Sequence, residues 1–217
     1  MESKKIPTSV YAEMTPNPMT MKFVADRLLI SGGMQVEYKS ASDAKGSSAL
    51  AQELFHFPFV KSVFISSNFV TVTRDESLDW DMIVMQLREY IREWLVDNEI
   101  AVSTIPAHLM INETTSHASQ QPNASPSSIL TVDFPKLPAS PYDDEIVHLL
   151  NEFVRPAVEQ DGGAIDFVGY DNKVVYVNMR GACSGCPSST ATLKGGIENL
   201  LKAKLPDVVE EVMAQSV

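Results

Sequence analysis

Apolar residues in the amino-terminal region follow two different periods, and each period predicts a different kind of element. The runs "VKSVFIS" and "NFVTVTR" are rich in β-branched and aromatic residues and are joined by "SSN" at 66–68. Two β-rich runs separated by turn-forming residues predict a β-hairpin. Extended segments at 21–25 and near 34–39 add two predicted strands, and the "PNP" at 16–18 predicts a turn before the first of them. This region is therefore expected to contain a sheet.

Helical periodicity marks two further segments of the same region. In "SSALAQELFHF" at 47–57, serines suited to helix capping precede leucines at helical spacing, which predicts a short amphipathic helix. A longer helix is predicted from Leu78 to Val96, with Asp79 as its cap, because the apolar residues there form one stripe with a period of about 3.6. The stripe consists of Trp80, Ile83, Val84, Leu87, Tyr90, Ile91, Trp94 and Leu95. We expect this helix to lie on the sheet.

The carboxy-terminal region has its own set of predicted elements. Acidic residues in the first turn of "PYDDEIVHLLNEFVRP" favour a helix start, and Pro156 is expected to kink or interrupt that helix. "AIDFVGY" and "KVVYVNM" predict a hairpin whose turn contains Asp171 and Asn172. A closing helix at about 188–204 and a last strand at 208–214 complete the region. Both regions are thus predicted to be small α+β units with helices on one face of a sheet.

The segment between them is rich in Ser, Thr, Asn, Gln and Pro, which predicts a flexible linker. We therefore predict two small α+β domains, at 10–100 and 141–217, joined by a flexible linker at 101–140. Two apolar patches interrupt the linker, "PAHLMI" at 106–111 and "ILTVDF" at 129–134. Each could be a docking segment or simply part of a disordered chain.

Charge and hydropathy exclude several classes of function. The chain has 17 Lys and Arg against 28 Asp and Glu, a formal net charge of −11 with no basic patch, so neither nucleic acid nor a membrane surface is an expected partner. The apolar runs are a few residues long, far short of the roughly 20 needed to cross a bilayer. The amino terminus contains Glu2, lacks arginine and has no apolar core, which argues against a targeting peptide and leads us to expect a cytoplasmic protein.

The chain has only two cysteines, Cys183 and Cys186, and both lie in "GACSGCPSST". Two thiols in a chain of this length do not make a disulfide scaffold, so a reducing compartment and metal or redox chemistry are favoured. The pair is predicted to lie in a strand-to-helix loop, with Pro187 in the first turn of the helix. Free N–H groups and the positive helix end are expected to lower the pKa of the thiols.

Four interpretations remain open from the residues alone, and the first is that the CxxC pair is structural or occurs by chance. The other three involve chemistry at the thiols. Dithiol exchange of the thioredoxin type places a CxxC pair between a strand and a helix, but that fold needs a larger sheet than this region provides. Zinc needs two more ligands, and the four histidines have no spacing that completes a Cys₂His₂ site; they are His56, His108, His117 and His148. An iron–sulfur cluster is commonly held by four thiolates, which two copies of this chain would supply.

Longer segments resemble a known family. "VRPAVEQDGGAIDFVGY" and "GACSGCPSSTATLKGGIENLLK" closely resemble the carboxy-terminal domain of NifU, which is shared with the Nfu-type iron–sulfur cluster carriers. "TPNPMTMKFV", "SALAQELFHFPFVKSVFISSNFVTVT" and "DWDMIVMQLREYI" resemble the amino-terminal domain of many Nfu proteins. The order of the two domains agrees as well.

The resemblance implies a scaffold or carrier rather than an enzyme. It would bind one [4Fe–4S] cluster between the two subunits of a homodimer, receive it from upstream assembly machinery and transfer it to apo iron–sulfur proteins. Cys183 and Cys186 correspond to the ligands, with Gly181, Gly185 and Pro187 as residues that shape the loop.

Two further expectations accompany the resemblance. Ala164 stands where relatives often have an acidic residue after two glycines, and Asp166 lies two positions later. The first domain has no cysteine and no nucleophile-base pair, so its expected role is recognition of partner proteins.

Overall fold

The computed structural model describes residues 5–31, 33–105, 137–184 and 187–216. It contains a five-stranded and a three-stranded sheet, each with helices packed against it. This confirms the prediction of two small α+β domains. The two apolar patches predicted within the linker lie outside the described residues.

The first sheet is antiparallel throughout and has the strand order β1-β2-β5-β4-β3. Its strands are β1 Val10–Met14, β2 Thr20–Ala25, β3 Gln35–Tyr38, β4 Val60–Ser66 and β5 Phe69–Arg74. The predicted hairpin is formed by β4 and β5, and Ser67 takes a left-handed conformation (φ 48°) in its turn. Edge strand β1 was not predicted, because its sequence "VYAEM" is short and weakly alternating.

Three helices cover one face of this sheet: α1 Ala41–Ala44, α2 Ala49–Leu54 and α3 Trp80–Asp97. Ser48 caps α2 by accepting a hydrogen bond from the Ala51 N–H, as the sequence indicates. The predicted stripe of α3 is confirmed, because its central residues are buried in the domain core. Asp79 stands at the cap position of α3 but forms no capping hydrogen bond there; its carboxylate lies 3.6 Å from the Arg74 guanidinium.

Residues 101–105, assigned to the linker from the sequence, pack against the first domain. The Ala101 N–H donates to the Leu29 carbonyl at 2.9 Å, and the side chains of Ala101 and Val102 are buried in the domain core. The first domain therefore extends beyond residue 100, because this apolar pair has a place in its core.

The second sheet has the order β6-β7-β8. Its strands are β6 Gly163–Asp171, β7 Val174–Gly181 and β8 Glu211–Ser216, and its helical segments are α4 Asp143–Leu149, a π-helical turn at Leu150–Val154, α5 Arg155–Gln160 and α6 Pro187–Lys204. The long helix is interrupted as predicted, because Pro156 has no N–H to donate. The hairpin turn lies one residue later than predicted, since Asn172 and Lys173 are the left-handed residues. In the part of the chain that the structure describes, no helix is long and apolar enough to span a bilayer.

Candidate functional site

The first cysteine follows a turn that only glycine fits well. Gly181 ends β7 in a left-handed conformation (φ 63°), and a Cβ there would lie 2.7 Å from the Gly162 carbonyl oxygen and 2.9 Å from the Phe64 ring. The turn carries the chain from the sheet into the loop that precedes α6, which begins at Pro187 as predicted. This cysteine loop, residues 181–187, is described at all positions except Gly185 and Cys186.

The side chain of Cys183 packs inward. It is 6% exposed and belongs to the core cluster of the second domain. Its Sγ lies over the backbone of Gly163, so closely that a Cβ on that residue would come within 2.5 Å of the sulfur. In this conformation the thiol faces its own domain rather than solvent.

Burial reverses the expected acidity of Cys183. Loss of solvation raises the pKa of the thiol to about 12, and the Asp161 carboxylate adds to the rise. The expectation of a lowered thiol pKa is therefore wrong for Cys183, because desolvation disfavours the thiolate. The loop N–H groups do not offset that burial.

The second domain itself holds the start of the loop. The Ser184 N–H and hydroxyl both donate to the Gly181 carbonyl, at 3.1 and 2.9 Å. The Thr190 hydroxyl, in the first turn of α6, donates to the Cys183 carbonyl at 3.3 Å. These contacts fix the backbone on both sides of the sulfur.

Asn17 of the first domain also contacts the loop, which sequence reasoning did not anticipate. Its side-chain amide donates to the carbonyls of Ala182 and Ser184, at 3.1 and 3.0 Å. These are the residues on either side of Cys183. The Asn17 Oδ1 accepts from the Met19 N–H at 3.0 Å, which orients the amide. The predicted turn at 16–18 is the available sequence signal, but its partner lies more than 160 residues away.

Ala164, the residue that departs from the family pattern, is buried between the domains. It forms an apolar cluster with Val24, Phe64 and Phe69 of the first domain. An acidic side chain at this position would be buried among apolar groups. Asp166 does not replace such an acid at that place, since its carboxylate pairs with Arg180 at 2.6 Å.

The other candidate ligands are dispersed. Among the described residues, no group of three or more His, Cys, Asp or Glu side chains could hold a metal ion. His56 and His148 are exposed and lie beside Glu53 and Glu152. The predicted ligand Cys186, together with His108 and His117, lies outside the described residues. The assignment of Cys183 and Cys186 as ligands stays a prediction.

Two family models match the chain. The model "Scaffold protein Nfu/NifU N terminal" matches residues 10–98, and the model "NifU-like domain" matches residues 146–212. The matched ranges cover most of both predicted domains, and the second includes both cysteines.

Curated proteins with similar sequences carry a common name. The "NFU1 iron-sulfur cluster scaffold homolog, mitochondrial" of Drosophila ananassae is 33% identical over 209 residues, which is 94% of this chain and 64% of that protein. The protein of the same name in Drosophila virilis is 34% identical over 94% of this chain and 61% of its own length. The chain thus spans somewhat less than two thirds of these relatives. The prediction of a cytoplasmic location is wrong, because these names point to the mitochondrion.

Solved structures with similarity to the chain cover smaller parts of it. A NifU-like protein from Saccharomyces cerevisiae is 24% identical with a TM-score of 0.41, over 48% of this chain and 89% of that one. A Staphylococcus aureus protein is 20% identical with a TM-score of 0.34, over 38% of this chain and 98% of that one.

Proposed function

Since the chain belongs to the family that joins an Nfu/NifU N-terminal scaffold domain to a NifU-like domain, we propose that it is an iron–sulfur cluster scaffold and carrier. The observation that carries this proposal is the position of its only two cysteines in the strand-to-helix loop of the NifU-like domain. Relatives that match 94% of the chain are named as cluster scaffolds. The role is to hold and pass on a cluster, without turnover of a substrate.

We propose that Cys183 and Cys186 of two subunits together hold one [4Fe–4S] cluster. A chain with two thiols provides half of the four thiolates that such a cluster commonly binds, and a symmetric pair of loops provides the rest. The homodimer is thus a consequence of the ligand count. The cluster is cargo in this scheme, received from assembly machinery and released to apo iron–sulfur proteins, with a mitochondrial setting suggested by the names of the relatives.

Ligation requires a change at Cys183. The sulfur has to leave the core over Gly163 and lose its proton, because the thiolate is the form that binds iron. Release of the cluster reverses both steps, and the side chain can return to a buried site where the pKa of the thiol is raised to about 12. Burial of the free side chain over Gly163 therefore favours release, which suits a carrier better than a permanent cluster site.

The test is anaerobic reconstitution of the full chain, with iron and acid-labile sulfide counted per chain and mass measured by light scattering in the same sample. We expect about two irons and two sulfides per chain in a dimer, the stoichiometry of one shared four-iron cluster. Cys183→Ser and Cys186→Ser should each abolish cluster retention, while Ser77→Ala, a change at an exposed serine of the first domain, should retain it.

Two outcomes would contradict the proposal. A stable cluster at full occupancy in either cysteine variant would remove the thiols from the ligand set. A monomer without bound iron that reduces a disulfide substrate would instead favour dithiol exchange, and zinc at one ion per chain would favour a structural metal module.

A further inference from the structure

The first domain has a second buried face, on the side of its sheet opposite the helices. Side chains alternate along each strand, so residues between those of the helix-side core point the other way. We call this the docking face: Lys22, Val24, Glu37, Phe64, Phe69 and Thr71, each at most 8% exposed. An antiparallel sheet often leaves such a face to water, and here it lies against the second domain.

The docking face contacts the segment that supports the cysteine. The Lys22 ammonium donates to the Gln160 carbonyl at 2.9 Å, and the Thr71 hydroxyl donates to the Gly162 carbonyl at 2.7 Å. Gly162 directly precedes Gly163, over which the Cys183 sulfur packs. The first domain therefore binds the segment that supports the Cys183 sulfur. It also binds the backbone carbonyls on either side of Cys183.

The apolar part of the docking face fits closely as well. A Cβ added to Gly181 would lie 2.9 Å from the Phe64 ring. Ala164 packs against Phe64 and Phe69. The Arg180 guanidinium lies over the Phe64 ring, 6.0 Å from its centre. Contacts of the docking face thus extend over the start of β6 and the end of β7.

While these contacts last, the loop cannot rearrange freely. The peptide groups on both sides of Cys183 are bound by Asn17, and the sulfur remains directed at Gly163. A cluster shared with a second copy needs that sulfur turned toward the partner chain. Docking of the first domain therefore keeps the Cys183 sulfur inward, whereas cluster ligation in a dimer requires the same sulfur to turn outward.

We propose that the first domain is an intramolecular gate: its docking face and Asn17 hold the cysteine loop with the sulfur inward, and a second copy of the chain can share a cluster only after undocking. This inference rests on the proposed function for its purpose, but the gate itself concerns the cluster-free chain. The occupants that compete for the loop are the first domain of the same chain and the second domain of another copy. No covalent bond forms or breaks between the two states.

The gate is tested by Asn17→Asp in the full chain, with Cys186→Ser as the common background so that Cys183 is the single thiol. The aspartate keeps an oxygen for the Met19 N–H but loses both donors to the loop and places a carboxylate against two carbonyl oxygens. We expect the rate of Cys183 alkylation by iodoacetamide to rise about tenfold or more, since two hydrogen bonds to the loop are lost.

Asn68→Asp is the matched control. Asn68 also donates its amide to a backbone carbonyl, that of Ala25 at 2.9 Å, but within the first domain. Its variant should alkylate at the rate of the background chain. An Asn17→Asp chain that alkylates at that same rate, or an equal increase in both variants, would overturn the gate.

Thr71→Val supplies a second test if Asn17→Asp fails to fold. Valine keeps the shape of threonine but cannot donate to the Gly162 carbonyl, and we expect alkylation to rise about fivefold. Thr73→Val is its control on the same strand, because the Thr73 hydroxyl accepts from Ser62 inside the first domain. Equal rates for the two threonine variants would contradict the gate.

The rate of cluster loading distinguishes failure of the gate from failure of the proposed scaffold function. With both cysteines present, Asn17→Asp should bind a reconstituted cluster faster than the unmodified chain. Equal loading rates for both chains would overturn the gate and leave the scaffold proposal intact. Faster alkylation in a chain that binds no cluster would support the gate and overturn the scaffold proposal.

Discussion

The five-stranded sheet has two buried faces, and they differ in what they bury. The buried strand residues on the helix side are apolar or aromatic, such as Phe23, Val36 and Ile65. The docking face contains ionisable groups, such as Lys22 and Glu37, beside its aromatic residues. Polar groups that return to water regain hydrogen bonds, whereas an apolar face that is exposed loses its hydrophobic contribution to stability. The first face therefore holds the domain together, and the second suits a contact that opens, as interfaces between domains often do.

The largest effect is expected from a substitution on the helix side, and it concerns the free energy of unfolding of the first domain. Leu87 is fully buried in the core on α3, so Leu87→Ala should lower the free energy of unfolding of the first domain by about 2–5 kcal/mol. Met85→Ala on the same helix is the control, because Met85 is 61% exposed; its effect should stay within about 0.5 kcal/mol. Urea denaturation followed by tryptophan fluorescence measures both. Similar values for the two variants would mean that α3 does not pack as described.

An intermediate effect is expected at the centre of the docking contact. Ala164→Asp would bury a carboxylate among Val24, Phe64 and Phe69, a cost that the chain avoids by undocking. We expect alkylation of Cys183 to rise on the order of tenfold or more, with little change in the unfolding of the first domain. Ala157→Asp adds the same charge at an exposed position of α5 and should change neither. An Ala164→Asp chain that remains docked would show that the contact tolerates an unpaired charge.

The smallest effect is expected from pH. Burial raises the pKa of Glu37, and Lys39, the Gly181 N–H, Arg180 and the Ser62 hydroxyl oppose that rise. A carboxyl group with a raised pKa binds its proton more tightly in the docked state than in the hydrated state. Its contribution to docking is therefore complete below the ordinary glutamate pKa and is lost as pH rises through the raised value.

Small-angle scattering of the full chain between about pH 4 and about pH 8 measures this, because undocked domains on a linker give a larger radius. The radius of the unmodified chain should grow with pH by less than the change caused by Ala164→Asp. Glu37→Gln should show a weaker dependence, since it has no carboxyl group to titrate at that position. A radius that falls as pH rises would contradict the prediction that deprotonation of Glu37 weakens docking.

Periodicity accounts for most of the fold that could be predicted. The stripe of α3 and the β4-β5 hairpin are local patterns of burial, so the sequence contains the information directly. Strand β1 was missed because its sequence "VYAEM" alternates only weakly between apolar and polar residues. Asp79 stands at the predicted cap position of α3, but its side chain makes no capping hydrogen bond and its carboxylate lies near Arg74 of the neighbouring strand.

The site was predicted less completely than the fold. The CxxC spacing and the family resemblance identified the loop, but the direction of Cys183 depends on Gly163, on the far side of a hairpin. Likewise, the sequence around Asn17 indicates only a turn, and its contacts with Ala182 and Ser184 are formed by the tertiary structure. Contacts between distant segments of one chain leave no periodic signal, which is why the raised thiol pKa and the gate were not foreseen.

Strand β8 has a consequence for how the second domain is made on the ribosome. It pairs in parallel with β7, and Ser216 lies opposite Met179, just before the turn that leads to the cysteines. A parallel partner has to arrive through a crossover, here α6, so the sheet is completed only when residues synthesised after the loop have emerged. Until then Cys183 has no finished core to enter. The Cys183 thiol of a nascent chain is thus buried only after α6 and β8 have been made and have left the ribosome.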